Sequence, residues 1–356
     1  MPAMKKVFVG LSGGVDSAVS AALLKRDGYD VTGVFIKIWQ PEFTECTWRE
    51  DRLDAMRVAA HLKIPFREID LSDEYKNEVV QDMISAYQSG NTPNPDVLCN
   101  EKIKFGHFLK YALENGADFV ATGHYAISGI IEATGAYQLL RGNDQNKDQS
   151  YFLYRLGQHE LAHAIFPVGS YTKSRVREMA KEFSLPVAEK SDSQGLCFVG
   201  PVSIPEFLSR YITLTRGVVL DEAGNCIGEH DGAALFTIGQ RHGFRLTTPV
   251  QTPLYVTSVR IAENEIIVSE NPNAAALMQM ELSNIHWIND SQEGKEILVQ
   301  SRYREAPVAA TLVGSTLTFS TPHVVSPGQS IVFYQGANGG DECYGGGIAL
   351  GIHMRA

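Results

Sequence analysis

The chain has 356 residues, 44% of them hydrophobic, and a formal net charge of -10. That length exceeds what one hydrophobic core serves, so two or three domains are expected. No window is apolar over the length that crosses a bilayer, and the start, Met1-Pro2-Ala3-Met4-Lys5-Lys6, lacks the apolar core and cleavage site of a signal peptide. A cytoplasmic globular protein is expected. The acidic balance argues against nucleic-acid binding, which usually shows basic excess.

In chain order, Val7 to Gly10 reads as a short apolar strand, followed by a Gly-rich turn and a helix from about Asp16 to Arg26. Val31 to Ile38 is β-rich. Trp48 to Leu62 has helical spacing through Leu53, Met56 and Ala60 and stops before Pro65. Ile69 closes a third strand, a helix follows Ser72, and Phe119 to Ala121 is a buried strand. This alternation predicts an α/β fold with a parallel sheet and ligands at the carboxyl ends of its strands. Beyond about Phe207 the pattern changes. Gly217 to Leu220 and Cys226 to Gly228 flank the turn Asp221 to Asn225 as a hairpin, and short runs such as 297–299 and 331–334 alternate with turns. Small β domains are expected there, a central one and a C-terminal barrel, with units at 1–205, 206–275 and 276–356.

The strongest signal is Gly10-Leu11-Ser12-Gly13-Gly14-Val15-Asp16-Ser17, between a strand and a helix. Glycines let backbone approach a phosphate, serines add hydroxyls, and the helix turns its N-terminal amides and positive dipole end to the anion. The lysine of the GxxxxGK[ST] loop is missing. Such a loop suits pyrophosphate release better than γ-phosphoryl transfer, and Asp16 is placed to hold Mg²⁺. The plainer alternative is a Gly-Gly turn with Asp16 as a helix cap. The hexapeptide Ser12 to Ser17 resembles the signature of the PP-loop ATP pyrophosphatases. That resemblance implies ATP and an adenylated intermediate without choosing the substrate.

Cys46, Cys99, Cys197, Cys226 and Cys343 form no CxxC pair, so neither a disulfide framework nor a zinc site is indicated, and no metal ligands are assigned. Cys99 lies in Thr92 to Asn100, where two prolines and two asparagines predict a rigid loop rather than a helix. Lys102 and Lys104 follow, and nearby cations make a thiol a better nucleophile. Cys197 lies in the polar loop Ser191 to Gly200, suited to carrying a thiol on a mobile arm. A free cysteine is more often a small buried hydrophobe, the reading kept for Cys226 and Cys343. Cys46 has acidic neighbours that disfavour a thiolate.

From end to end the chain resembles the bacterial tRNA-specific 2-thiouridylases. The matching segments are Gly10 to Ser17, Asn94 to Asn100, Ala121 to Tyr125, Lys147 to Tyr151, Asp192 to Gly200, Phe236 to Arg241, Arg302 to Arg304 and Pro327 to Gln329. The resemblance implies a tRNA-uridine 2-sulfurtransferase that adenylates the C2 oxygen of the wobble uridine and replaces it with sulfur. Gly10 to Ser17 with Ile36 (usually methionine in the family) and Gly123 would bind ATP, with Mg²⁺. Asn94, Pro95 and Asp96 would surround the base, with Asp96 as acid/base or base holder. Cys197 would carry a persulfide and Cys99 would be its partner nucleophile. His124, Lys147, Asp148, Gln149, Arg302, Tyr303 and Gln329 would contact tRNA. Implied partners are the Lys, Glu and Gln tRNAs and a persulfide relay protein or cysteine desulfurase, with the chain a monomer.

Three basic groups bear on RNA: Lys173, Arg175, Arg177 and Lys181 on a helix after Thr172; Arg241, His242 and Arg245; and Arg302 and Arg304 around Tyr303. Taken alone, each reads somewhat better as a solvated helix face or strand edge. Two other functions are weighed: a PP-loop ligase for a small molecule, which needs no paired cysteines and no β-rich half, and a non-catalytic sulfur carrier or RNA scaffold. Pyrophosphate exchange that depends on tRNA separates the first, and the intact phosphate loop argues against the second.

Overall fold

The computed structural model describes residues 4–43, 48–191, 202–336 and 341–351. Cys46, Cys197 and the loop expected to carry Cys197 lie outside the described residues. The first sheet runs β1 (Lys6–Gly10), β2 (Asp30–Lys37), β3 (Phe66–Asp70), β4 (Phe119–Ala121) and, after a hairpin of β5 (Ala126–Ile130) with β6 (Tyr137–Arg141), β7 (Ala164–Ile165). Its order is β3-β2-β1-β4-β7 and every pairing is parallel. The chain reverses sheet direction between β1 and β4, where open α/β sheets bind ligands. The α/β expectation is met.

Helix α1 (Val15–Arg26) buries nine of its residues because it lies between the sheet and the Lys173–Glu182 helix, with Val176, Met179 and Ala180 in the same core. Helix α2 (Trp48–Leu62) forms where the spacing predicts it, but it is turned. Ala55, Val58 and Ala59 are buried, while Leu53, Met56 and Ala60 are exposed. Its first turn lies so close to the phosphate loop that a Cβ on Gly13 would run into the Asp51 backbone. So tight an approach selects small side chains over the larger apolar ones.

The central sheet holds β8 (Gly217–Leu220), β9 (Cys226–His230), β10 (Phe244–Leu246), β11 (Tyr255–Arg260) and β12 (Glu265–Ser269) around their own core. Asp221 closes the expected β8–β9 turn by accepting from the amides of Ala223 and Asn225. Cys226 is exposed there, correcting its reading as a buried hydrophobe. Next come β13 (Leu277–Trp287), β14 (Glu296–Gln300), β15 (Val308–Val313), β16 (Thr316–His323), β17 (Ser330–Tyr334) and β18 (Glu342–Ala349). Pairing of β13 with β18 closes these six strands into a barrel.

The β5–β6 hairpin of the first domain adds to the barrel, Leu139 and Leu140 pairing with Cys343 and Glu342. Arg141 pins this junction. Its guanidinium lies 3.5 Å from the centre of the Tyr334 ring and 3.2 Å from the buried Asp148 carboxylate. Arg141→Ala leaves that carboxylate without its cation and should cost about 2–4 kcal/mol, read as a lower urea midpoint. Among the described residues no helix is long and apolar enough to cross a membrane.

Candidate active site

The phosphate loop begins where β1 ends. Gly13 has φ of 76°, a left-handed conformation that glycine adopts without strain. The Ser12 and Ser17 hydroxyls lie 3.2 Å apart, Ser17 Oγ donates to the Gly14 carbonyl, and Gly14 opens α1 with no side-chain cap. This corrects the alternative in which Asp16 caps the helix. The α1 N-terminal amides keep their donors for an anion. Leu11 is buried, and its amide donates to Val34 on β2. Ile36 at the end of β2 and Gly123 just past β4 flank the loop: a Cβ on Gly10 would meet Ile36 at 3.7 Å, and one on Gly123 would lie 2.7 Å from the Ser17 nitrogen. The loop, Ile36 and Gly123 therefore lie side by side at the carboxyl ends of β1, β2 and β4.

Asp16 accepts from the Tyr125 hydroxyl at 2.8 Å and from Lys173 Nζ at 2.7 and 2.8 Å. Sequence reasoning placed Lys173 in a basic RNA patch. The fold undoes that patch: Arg175 pairs with Glu178 and Glu182, Lys181 with Glu189, and Arg177 donates to the carbonyls of Ala188 and Lys190. Arg245 is likewise paired with Asp231 and Glu229.

The segment expected to be a loop is a helix from Pro95 onward. Asn94 caps it by accepting from the Val97 amide, proline occupies the first turn, and Pro95–Leu98 runs into a π-helix at Cys99–His107. Asparagine before proline is a helix-start signal, and a second π segment follows Tyr75 at Lys76–Val80. Cys99 is 4% exposed and belongs to the core that also holds Val97, Ile103 and Tyr151. Burial lifts the Asp96 carboxyl above its ordinary range, opposed by the positive charge of Lys104. A cavity of about 390 Å³ opens between Asn94, Val97 and Leu98 on this helix and Ser283, Ser330 and Ile348 of the barrel.

Lys104 links the two halves of the site. Its Nζ lies 3.5 Å from Nε2 of His124, whose Nδ1 lies 2.8 Å from Thr122 Oγ1. Lysine only donates, so Nε2 is the acceptor and the imidazole proton sits on Nδ1, facing Thr122. His124 also packs against Phe105 and Phe166. It is 8% exposed, with Lys104 beside its ring. Burial, with Lys104 adding, pushes its pKa well below 6.5. A depressed histidine stabilises the fold above its unfolded-state pKa and loses that contribution as pH falls. The urea midpoint should therefore drop as pH falls below about 6.5, and His124→Asn should show a shallower drop.

Asp148 is 7% exposed and accepts from the Gly142 and Ser150 amides, which holds the turn. Gln149 exchanges hydrogen bonds with the Tyr125 backbone, and Lys147 is half-buried on the same turn. Tyr303 packs against Phe152 with centroids 4.6 Å apart and planes tilted by 48°, and Arg302 donates to the Ile238 carbonyl of the central domain. Gln329 accepts from the Ser326 amide. Thr92, just before the cysteine helix, bonds to Thr237 of the central domain and to the Pro327 carbonyl of the barrel domain. The sequence carried no signal for that junction.

A glycine-rich loop between strand and helix of a parallel sheet, a buried thiol on a separate helix and two β domains after it define a three-part α/β and β architecture. Three family profiles cover the chain: "tRNA methyl transferase HUP domain" over residues 5–201, "tRNA methyl transferase PRC-barrel domain" over 205–270 and "Aminomethyltransferase beta-barrel domain" over 278–349. The tRNA-specific 2-thiouridylase MnmA of Nitrosomonas europaea is 42% identical, over 97% of this chain and 98% of that one. That of Flavobacterium johnsoniae is 41% identical, over 93% and 97%. A U34-tRNA thiolase of Methanococcus maripaludis is similar at 19% identity and a TM-score of 0.36, over 58% and 62%, too loose a likeness to carry an argument. The chain belongs to the tRNA-specific 2-thiouridylase family.

Proposed function

We propose that ATP binds in the cleft of Gly10 to Ser17, Ile36 and Gly123, and that the uridine enters beside Asn94, Pro95 and Asp96. The O2 oxygen of the wobble uridine attacks the α-phosphorus, pyrophosphate leaves, and the base becomes an adenylated one whose leaving group is AMP. The terminal sulfur of a Cys197 persulfide attacks C2 and expels AMP. The Cys99 thiolate then attacks the Cys197 sulfur of the resulting S–S link, which frees 2-thiouridine and leaves a Cys99–Cys197 disulfide for a thiol reductant. Asp96 holds the base or handles its proton; a carboxyl raised by burial suits either part. To reach the helix the uridine leaves its stack, a cost that a fitted pocket offsets. The observation that carries this reading is the phosphate loop joined, through Gly123, His124 and Lys104, to the helix that bears Cys99.

Mg²⁺ would enter on the ATP phosphates, with Asp16 as the carboxylate of the loop that would hold it, paired here with Lys173. Lys147, Gln149, Arg302, Tyr303 and Gln329 are proposed tRNA contacts. The tRNAs are those with Lys, Glu and Gln acceptors, the sulfur donor is a persulfide relay protein or a cysteine desulfurase, and the chain acts as a cytoplasmic monomer with units at 1–205, 206–275 and 276–356. The test is nucleoside analysis of tRNA after incubation with ATP, Mg²⁺ and a persulfide source. Wild type should yield 2-thiouridine, and Cys197→Ser should yield none. Thiolation that survives in Cys197→Ser removes the persulfide role.

A further inference from the structure

We propose that the buried Tyr151 hydroxyl locks the Asn94 side-chain amide in one of its two orientations, and that this lock makes the base pocket select uridine over cytidine. Tyr151 acts through Asn94 and is a positioning residue. The proposal rests on the reading that the target base lies beside Asn94.

Cytidine carries the same C2 carbonyl as uridine, so neither the phosphate loop nor the thiol chemistry separates the two. They differ along the edge formed by position 4 and N3. Uracil presents an acceptor at O4 and a donor at N3, whereas cytosine presents a donor at N4 and an acceptor at N3. A primary amide has a donor side and an acceptor side. It pairs with uracil in one orientation and with cytosine in the flipped one. An asparagine free to turn reads both bases, and only a fixed one discriminates.

Asn94 has two anchors. Its Oδ1 accepts from the Val97 amide at 3.4 Å, a long hydrogen bond that holds the amide weakly by itself. Its side chain also hydrogen-bonds the Tyr151 hydroxyl. That hydroxyl has a single hydrogen, already taken by main-chain carbonyls, Ser330 at 2.9 Å and Ser301 at 3.2 Å. The Tyr151 oxygen therefore accepts, and Asn94 must turn its nitrogen to it. A flipped amide would set Oδ1 against that oxygen and the NH₂ group against the Val97 N–H. The tyrosine ring is itself held: it is 3% exposed, with Phe152 edge-on at 5.3 Å and Tyr303 at 6.3 Å. One N–H and one oxygen lone pair of Asn94 are left over. Asn94 and Ser330 both line the cavity of about 390 Å³, so an entering base meets that remaining pair in a single orientation.

The experiment measures tRNA-dependent pyrophosphate release by the full chain on two otherwise identical transcripts, with uridine or cytidine at the wobble position. Wild type should favour uridine by at least about a hundredfold in kcat/KM, because the wrong base leaves buried polar groups unpaired. Tyr151→Phe keeps the ring and removes the hydroxyl, and its preference should shrink by about tenfold or more. Loosened packing alone would lower both rates together and leave their ratio unchanged. Tyr151→Phe with the wild-type ratio overturns the proposal and leaves the base pocket standing. Asn94→Asp keeps a helix cap but replaces the donor with a second acceptor, so it too should lose the preference for uridine. Asn94→Asp with the wild-type rate and ratio overturns the base-pocket reading, and this proposal with it. Should Tyr151→Phe not fold, Asn94→Asp decides. A wild type that accepts both bases equally also overturns the proposal.

Discussion

Cys99→Ser is expected to lose thiolation by at least a factor on the order of a thousand, while pyrophosphate release that depends on tRNA continues. The two halves of the reaction use different groups. In the proposed reaction adenylation needs the phosphate loop and the base pocket, and neither of these uses the Cys99 sulfur. Release of the thiolated base needs a thiolate to attack the persulfide-derived link, and a serine hydroxyl is too weak an acid to replace it. Cys99 is buried among Val97, Ile103 and Tyr151, so serine leaves the volume almost unchanged and introduces one hydroxyl. The expected stability cost is about 1 kcal/mol, too little to explain the loss. Thermal melts beside single-turnover assays separate the effects. A Cys99→Ser enzyme that turns over like wild type rules out the nucleophile role.

The second large effect comes from two adjacent glycines that fail for different reasons. At Gly14 the backbone is extended and a Cβ would have only the Ser12 hydroxyl nearby, at 3.4 Å. Gly14→Ala should therefore melt like wild type yet raise KM for ATP by tenfold or more, because the added methyl occupies space that a phosphate needs. At Gly13 the backbone has φ of 76°, and a Cβ would strike the Asp51 main chain at the start of α2. Gly13→Ala should lose activity and about 2–4 kcal/mol of stability together. The pair checks where the phosphates sit: a Gly14→Ala enzyme with unchanged KM for ATP places them elsewhere.

What the sequence reveals divides along the range of the interactions. The β1–loop–α1 unit is legible because strand, glycines and helix are consecutive, and each local choice agrees with the fold. The Trp48–Leu62 helix is legible in extent but not in orientation: its spacing offers two faces, and only the nearness of Gly13 to Asp51 selects the one with small residues. The Asn94-Pro95 start is misread because two prolines suggest a loop, although proline loses nothing in the first turn, where its missing N–H has no helical acceptor. Lys173, Lys104 and the Thr92–Thr237 bond lie beyond reading, since each joins residues that only the tertiary fold brings together. The same holds for the β5–β6 hairpin, which reads as part of the first domain and completes the sheet of the last.

The central claim is that the uridine oxygen becomes part of the leaving group, and isotope tracing tests it most directly. A tRNA carrying ¹⁸O at the C2 carbonyl of the wobble uridine is incubated with ATP and a persulfide source, and the AMP is analysed by mass spectrometry. The account predicts one ¹⁸O atom in AMP for each 2-thiouridine formed. Unlabelled AMP, with the ¹⁸O found in water or pyrophosphate, would contradict it.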